Sequence, residues 1–272
     1  MFVNGSCSKV PLVISHRGMG TRWPENTIAA FAAVLDEGAD GFECDVVLTR
    51  DGEPVVVHVP FYSDDISVMV GSRAKVGGLD FSELRGLSIG GERIPHLEEV
   101  LALVRARSTA CFIEPKRCGD GLVARIVREV EAQKVLDKVV LLTFVGRGSA
   151  LLRARQLQPE VRTAVITTSV PGRWRRAAAA TRADMVVASW KGVNHLRLLD
   201  GFVVNVRARV DRLRQDGIAV YGGLADRRTD VEWLCSLGVG GIFTNNVGSA
   251  KDAIRRWASK NVSQDFALQI DR

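Results

Sequence analysis

Short apolar runs and longer amphipathic stretches alternate along the 272 residues of the chain. Brief runs of apolar and β-branched residues are typical of buried strands, and apolar residues at every third or fourth position are typical of helices. We predict eight strands, at residues 10–15, 41–47, 110–114, 139–144, 162–167, 184–189, 218–222 and 241–244. We predict eight helices, at residues 27–37, 95–106, 120–133, 148–157, 172–181, 204–215, 229–237 and 248–258.

This alternation predicts a sheet of parallel strands, because a helix returns the chain to the start of the next parallel strand. Eight such units suit a closed TIM (β/α)8 barrel of the α/β class. A doubly wound open sheet is the alternative, although no glycine-rich dinucleotide fingerprint follows the first strand. Residues 59–93 break the rhythm and are predicted to form a small insertion after the second strand. No linker divides the chain, so we predict one domain over residues 1–272.

Composition and charge narrow the class of protein. The chain is 46% hydrophobic and 25% charged, as globular proteins are, and its net charge of +6 is mild for this length. This charge favours an anionic substrate, but no basic stripe is interleaved with aromatic residues, so no nucleic-acid partner is predicted. The densest basic run comprises Arg173, Arg175, Arg176 and Arg182. We interpret it as a solvated helix face, and a membrane-surface patch is the alternative.

The cysteines and the apolar runs indicate where in the cell the protein is located. Five cysteines lie at positions 7, 44, 111, 118 and 235 without a CxxC pair, so neither a disulfide framework nor a thiolate zinc site is predicted. The first residues contain no signal-peptide pattern, and no apolar run reaches the roughly 18 residues that a membrane span needs. We therefore expect a cytoplasmic location and no transmembrane segment. The oligomeric state is left open.

Two acidic residues lie on the second predicted strand. Glu43 and Asp45 are two residues apart, so their side chains share one face of the strand. Two carboxylates this close repel each other unless a positive charge lies between them. Mg²⁺ or Ca²⁺ suits that position, because both ions prefer carboxylate oxygen. A strand end with salt-bridged or solvated carboxylates is the alternative.

A hairpin is expected to bring His58 to these carboxylates. Asp51 and Gly52 stand between two apolar runs, which is a strong hairpin signal. If they are the two loop residues, Asp45 lies directly opposite His58, with Cβ atoms roughly 5 Å apart. A bulge at Gly52 would shift this register by one residue.

Four more polar residues follow the first and third strands. His16 and Arg17 end the first strand, and Glu114 and Lys116 share one face at the end of the third. Active sites of such barrels lie at these carboxyl ends. Three carboxylates then hold a hard cation, two histidines serve as general base and acid, and Arg17 and Lys116 attract an anionic group. This set suits attack at phosphorus, whereas a strand-end ion pair is the alternative for Glu114 and Lys116 alone.

At these residues the sequence resembles the glycerophosphodiester phosphodiesterase family. The resemblance begins with HRG, PENT, ExD, TxDG and the second histidine, in that order within residues 16–58. It continues with IPHLEEVL (94–101), IEPK (113–116), VVLLTF (139–144) and GVGGIFTN (238–245). It therefore covers nearly the whole chain.

The resemblance implies a TIM barrel with a small insertion, and metal-dependent hydrolysis of a glycerophosphodiester to sn-glycerol 3-phosphate and an alcohol. The roles that it implies are general base and acid for His16 and His58, Mg²⁺ or Ca²⁺ binding for Glu43, Asp45 and Glu114, and phosphate contact for Arg17 and Lys116. Within PENT, Glu25 and Asn26 are expected to hold the loop and open the first helix.

Two positions depart from the family pattern. Val59 stands where Asp usually follows the second histidine, and Gly223 stands about where a tryptophan is usual. Loss of that aromatic would widen the pocket or remove a wall, so the alcohol group of the substrate is left open. One alternative is a related phosphodiesterase that acts on lysophospholipids. Another is a barrel that binds a ligand without turnover, and the complete catalytic set argues against it.

Overall fold

The computed structural model describes residues 10–60, 62–116, 120–167, 171–188 and 192–261. The strands are β1 Leu12–His16, β2 Gly41–Leu48, β3 Pro54–Val56, β4 Ser88–Ile89, β5 Glu92–Arg93, β6 Ala110–Pro115, β7 Val139–Phe144, β8 Arg162–Ile166, β9 Met185–Ala188, β10 Ala219–Gly222 and β11 Gly241–Thr244. The helices are α1 Ile28–Asp36, α2 Ser67–Val70, α3 Phe81–Leu84, α4 Leu97–Arg107, α5 Asp120–Ala132, α6 Ser149–Leu157, α7 Trp174–Thr181, α8 Val193–Leu199, α9 Val206–Gln215, α10 Arg228–Leu237 and α11 Val247–Asn261.

Eight parallel strands close into a barrel. In the order β1, β2, β6, β7, β8, β9, β10 and β11, each strand pairs with the next, and β11 pairs with β1. The predicted TIM barrel is therefore confirmed, and the open sheet is excluded. The eight predicted strands and eight predicted helices all occur, with ends displaced by at most three residues. The last residue of the predicted strand 184–189 lies outside the described residues.

Two apolar layers hold the barrel together. Outside it, the helices pack on the outward side chains of the strands in one continuous core. Inside it, aromatic rings fill the centre, and the rings of Phe112 and Phe243 meet edge to face with centroids 5.1 Å apart. Tyr221 packs against both of these rings. The interior is therefore a packed core and not a pore, as is usual for this fold.

The predicted insertion has secondary structure and a small core of its own. Between residues 62 and 93 it forms α2, α3, the small β4–β5 ladder and a core of its own. Ion pairs join it to the loop between β2 and β3, because Arg50 in this loop lies 2.6 Å from Asp80 and 3.0 Å from Glu83. Helices of four residues are too short to show a period, which is why α2 and α3 were not predicted. The seven-residue helix α8 was missed for the same reason.

The hairpin between β2 and β3 has a different register from the one predicted. Val46 pairs with Val56, and Leu48 pairs with Pro54, so the prediction is wrong by one residue. The cause is a three-residue loop, in which Gly52 adopts a left-handed φ of +83°. A type I turn followed by a left-handed residue is a common hairpin connection and inserts this extra residue.

The shifted register changes the position of His58. The backbone amide that donates to the Asp45 carbonyl, at 3.0 Å, is that of Val57. Strand β3 ends at Val56, so His58 lies beyond the ladder and not opposite Asp45.

Two further sequence expectations concern membranes and thiols. In the described ranges, no helix is both long and apolar enough to cross a bilayer. Cys44, Cys111 and Cys235 are buried free thiols, and the sulfurs of Cys44 and Cys111 lie 4.0 Å apart. The other two cysteines, at positions 7 and 118, lie outside the described residues.

Candidate active site

Polar side chains follow the aromatic layer at the carboxyl ends of the barrel strands. In β1, Ile14 points into the barrel, and His16 is the next inward position. In β6, Phe112 points inward, and Glu114 follows it in the same way. Successive inward positions lie two residues apart, so each strand changes from apolar to polar at the same level of the barrel. This level is the mouth where barrels of this type have their active sites.

Three buried carboxylates form a cluster at this level. One oxygen from each of Glu43, Asp45 and Glu114 lies within 4.8 Å of the other two. Asp45 and Glu114 are direct neighbours in the β2–β6 register. Burial, together with the charge of Asp45, raises the pKa of Glu43 well above its ordinary value, and burial also raises the pKa of Glu114.

The cluster has the chemistry of a site for a divalent cation. Oε2 of Glu43 and Oε1 of Glu114 are buried and accept no hydrogen bond from any residue in the described part of the chain. Buried carboxylate oxygens without donors are costly unless a cation binds them. Oxygen ligands of this kind suit hard divalent cations. The three acidic residues can therefore hold such an ion.

Two cationic side chains lie against the same carboxylates. Nζ of Lys116 is 2.7 Å from Oδ1 of Asp45 and 2.8 Å from Oε2 of Glu114. Nε of Arg17 is 2.9 Å from Oδ2 of Asp45. Burial disfavours an ionised Asp45, but the charges of Lys116 and Arg17 outweigh it and lower the pKa of this carboxyl. Asp45 is therefore ionised, and the two cations mark the side of the cluster that an anionic group would approach.

His16 is held in one tautomer beside the cluster. Its Nδ1 lies 2.8 Å from Oδ1 of Asn245, and its Nε2 lies 3.9 Å from Oε2 of Glu43. Burial, followed by the charge of Arg17, lowers the pKa of His16 from 6.5 to about 4, so the ring is neutral at pH 7. A carbonyl oxygen only accepts, so Nδ1 carries the proton and Nε2 is the basic nitrogen.

The orientation of Asn245 is set by a second carboxylate. Asp226 accepts hydrogen bonds from the Asn245 side-chain Nδ2 at 2.7 Å, from its backbone amide at 2.7 Å and from Oγ1 of Thr244 at 2.8 Å. A carboxylate accepts and does not donate, so Nδ2 of Asn245 must face Asp226 and Oδ1 must face His16. Asp226 and Asn245 thereby fix the tautomer of His16.

His58 reaches the site by a different route from the one predicted. Its Nδ1 lies 3.7 Å from Oε1 of Glu25, and the same oxygen lies 3.4 Å from Nη1 of Arg17. The side chain of His58 is 32% exposed, whereas that of His16 is almost fully buried. The two histidines thus occupy different environments, because His58 is partly exposed to solvent and His16 is buried. This difference suits opposite roles in proton transfer.

Comparison with known proteins assigns the family. The model of the glycerophosphoryl diester phosphodiesterase family matches residues 16–249. The chain belongs to this family. Its members are enzymes, and so is this protein.

Two relatives illustrate the extent of the similarity. A glycerophosphodiester phosphodiesterase from Caldanaerobacter subterraneus is 26% identical over 258 residues, which cover 90% of this chain and 98% of the relative. One from Bacillus altitudinis is 29% identical over 245 residues, which cover 86% and 94%. A solved Oleispira antarctica phosphodiesterase, in complex with the product sn-glycerol-3-phosphate, shares the fold with a TM-score of 0.76. Its identity is 21%, and the match covers 91% of this chain and 98% of that one.

The family's PENT motif does more here than the sequence suggested. Nδ2 of Asn26 donates to Oδ2 of Asp45 at 3.1 Å, and the Asp45 amide donates to Oδ1 of Asn26 at 3.1 Å. Helix α1 is opened by Thr27, whose side chain accepts from the Ala30 amide. Glu25 lies between Arg17 and His58. Glu25 and Asn26 therefore line the site, and the expectation that they open the helix is wrong.

Both departures from the family pattern lie near the mouth. Val59 is buried in the small core of the insertion, and Glu25 is a carboxylate that lies beside His58. Gly223 is buried at the end of β10, where its amide donates to the Ala188 carbonyl at 2.8 Å. A glycine offers no side chain there, so the aromatic ring of the family pattern is absent at this position.

Proposed function

We propose that the protein hydrolyses glycerophosphodiesters to sn-glycerol 3-phosphate and an alcohol, with Mg²⁺ or Ca²⁺ held by Glu43, Asp45 and Glu114. The observation that carries the proposal is the buried three-carboxylate cluster, with donor-free oxygens, beside two cationic side chains and a neutral histidine. Family membership and the product named for the Oleispira antarctica enzyme support the substrate class.

The geometry suggests a role for each side chain. Arg17 and Lys116 attract the phosphate, because both remain charged where they are buried. Nε2 of His16 accepts the proton of the attacking nucleophile, since this nitrogen is unprotonated and points to the cluster. His58, beside the carboxylate of Glu25, donates a proton to the leaving alkoxide. When bound, the divalent cation stabilises the charge on the phosphoryl oxygens.

The test is release of glycerol 3-phosphate from glycerophosphocholine and glycerophosphoethanolamine, with Mg²⁺, with Ca²⁺ and with EDTA. We expect activity that EDTA abolishes and that His16→Ala lowers by about 10²–10⁴, the usual contribution of a general base. His195→Ala is the matched control, because that histidine is exposed on α8. Undiminished turnover in EDTA, or none with any phosphodiester, would contradict the proposal.

Metal binding is tested separately from turnover. Titration calorimetry of the wild type with Mg²⁺ and Ca²⁺ is expected to show one site. Glu114→Gln keeps the shape of the side chain but removes a negatively charged ligand, so we expect the affinity for the ion to be at least tenfold lower. Glu129→Gln is the control, because this glutamate lies on α5, where it pairs with Arg125. Equal metal affinity in the wild type and Glu114→Gln would exclude this site.

A second candidate is a lysophospholipid substrate, which the absent side chain at Gly223 favours. The assay above is then repeated with lysophosphatidylcholine as the substrate. Faster turnover of lysophosphatidylcholine than of glycerophosphocholine would select this candidate.

A single domain over residues 1–272 and a cytoplasmic location stay predictions.

A further inference from the structure

Four apolar side chains project into solvent between β9 and α9. Phe202 is 93% exposed, Val203 71%, Leu198 64% and Leu199 45%. Single exposed apolar residues are ordinary on protein surfaces and need no explanation. Four of them within six consecutive residues form a continuous patch, which calls for a partner surface.

The segment that carries this patch is firmly held. The carbonyl of Leu199 accepts three successive backbone amides, those of residues 202–204, at 3.1–3.3 Å. The Asp200 carboxylate accepts from the Val206 amide at 2.9 Å and from Nε1 of Trp233 at 3.0 Å. These hydrogen bonds hold the backbone of the turn in the conformation that exposes the four side chains. They are displayed by the structure of the turn and not by chance flexibility.

Helix α9 follows this turn and presents an arginine-rich outer face. Its inward positions are apolar and buried, namely Val206, Val210 and Leu213. Its exposed positions include Arg207, Arg209 and Arg212. Among the residues that the structure describes, Arg209 and Arg212 have no carboxylate within ion-pair distance. Their charges are therefore available to a partner.

Helix α7 extends the positive charge beside α9. Nε of Arg175 lies 2.5 Å from Oδ2 of Asp216, which ends α9, so the two helices are neighbours. Arg173 and Arg176, at the start of α7, are also exposed. We define the basic–apolar face by the exposed side chains of these segments, namely Leu198, Leu199, Phe202, Val203, Arg173, Arg176, Arg209 and Arg212. Arg207 lies on the other flank of α9, where its Nη2 donates to the Ser236 carbonyl.

We propose that this basic–apolar face binds the surface of an anionic lipid bilayer. Exposed aliphatic and aromatic side chains beside arginines are the chemistry of interfacial binding, in which apolar groups enter the head-group region and arginines attract anionic lipid. This inference goes beyond the hydrolysis proposed above, because it assigns a place where the enzyme works and none of these residues belongs to the active site.

A second copy of the chain fits the face less well. In a two-fold contact the same patch lies on both sides, so the arginines of one copy would oppose those of the other. Like charges placed opposite each other disfavour such a contact. An anionic lipid surface supplies the complementary charge.

The test is flotation of the full-length protein with vesicles of phosphatidylcholine alone, or of equal parts phosphatidylcholine and phosphatidylglycerol. We expect binding only to the second kind. It should weaken as salt rises from about 0.1 M to 1 M, because the screening length falls from about 10 Å to 3 Å. The double variant Arg209→Gln/Arg212→Gln is expected to bind about 25-fold more weakly, roughly fivefold for each charge. Phe202→Ser should lose at least about fivefold.

Matched controls come from the insertion. Val68→Ser removes a side chain that is 99% exposed, and Arg73→Gln removes an exposed arginine. Both should bind vesicles within twofold of the wild type. All variants should hydrolyse water-soluble glycerophosphocholine at the wild-type rate, so loss of membrane binding is separable from failure of the proposed reaction.

Three results would overturn the proposal. The first is absence of vesicle binding, or binding that does not depend on phosphatidylglycerol. The second is equal binding by the wild type, Phe202→Ser and the double arginine variant. The third is a dimer in sedimentation velocity that Phe202→Ser converts to a monomer, which would assign the face to self-association.

Discussion

The hydrogen bond between Asn245 and His16 offers a sharp test of the proposed proton transfer. Asn245→Ala removes the oxygen that holds Nδ1 of His16 at 2.8 Å. None of the three clustered carboxylates is touched by the change. The His16 ring remains in place, but the hydrogen bond that selects the tautomer with an unprotonated Nε2 is then lost. The substitution therefore perturbs the orientation of the base and leaves the base itself present.

The magnitude follows from the strength of the lost bond. A hydrogen bond between neutral groups contributes about 0.5–1.5 kcal/mol, which corresponds to a factor of roughly two to thirteen. We therefore expect kcat to fall by that factor in Asn245→Ala. Loss of the base itself in His16→Ala should cost about 10²–10⁴. The two variants are thus expected to differ clearly, with Asn245→Ala the milder.

The assay measures kcat and KM for glycerophosphocholine at saturating metal, together with the ¹⁵N shifts of the His16 ring. We expect KM to change little and the ring to become a mixture of tautomers. Asn205→Ala is the control, because its Oδ1 caps α9 by accepting from the Ala208 amide at 2.9 Å, away from the site. Loss of such a cap costs about 1 kcal/mol of stability and should leave kcat unchanged.

Two outcomes would refute this reasoning. An unchanged kcat and an unchanged tautomer in Asn245→Ala would show that Asn245 does not position His16. A loss of kcat as large as that of His16→Ala would show that Asn245 does more than orient the ring.

Two further predictions concern stability. The pKa of His16 is about 4 in the folded protein, compared with an ordinary value of 6.5. Between these two pH values the unfolded chain binds a proton at His16 that the folded protein does not. The free energy of unfolding should therefore fall by up to about 3 kcal/mol as the pH drops from 6.5 to 4. The free energy of unfolding, measured with urea between pH 4 and 7, should change less with pH in His16→Gln than in the wild type. An equal dependence on pH in the two proteins would contradict this. Gly41→Ala places a Cβ 2.5 Å from the Ala110 carbonyl oxygen, where β2 and β6 pair, and is expected to cost about 1–3 kcal/mol in thermal unfolding. Gly146→Ala, which meets nothing within 4 Å, should melt close to the wild type.

Local pattern was enough to predict the barrel and the carboxylate pair. Alternation of strands and helices is a property of sequence neighbours, and so is the parity that puts Glu43 and Asp45 on one face of β2. Glu114 follows from the same parity on β6, since parallel strands end at one mouth. The structure brings these three side chains within 4.8 Å of one another.

The hairpin shows where local pattern is ambiguous. Asp51-Gly52 fits a two-residue loop and also a three-residue loop that ends in a left-handed glycine. The difference is one residue of register, which decided that His58 lies near Glu25 and not opposite Asp45. The structure has the three-residue loop, and Arg50 in this loop pairs with Asp80 of the insertion.

The sequence by itself determined the fold and the charged residues at the barrel mouth, because both depend on periodicity over a few residues. Only the tertiary structure decided what holds His16. Its partner Asn245 is 229 residues away and is brought to it by the pairing of β1 with β11 that closes the barrel. Closure is a contact between the two ends of the fold, so no local pattern encodes it. The same holds for the proposed basic–apolar face, because Arg175 of α7 and Asp216 at the end of α9 meet only in the folded chain.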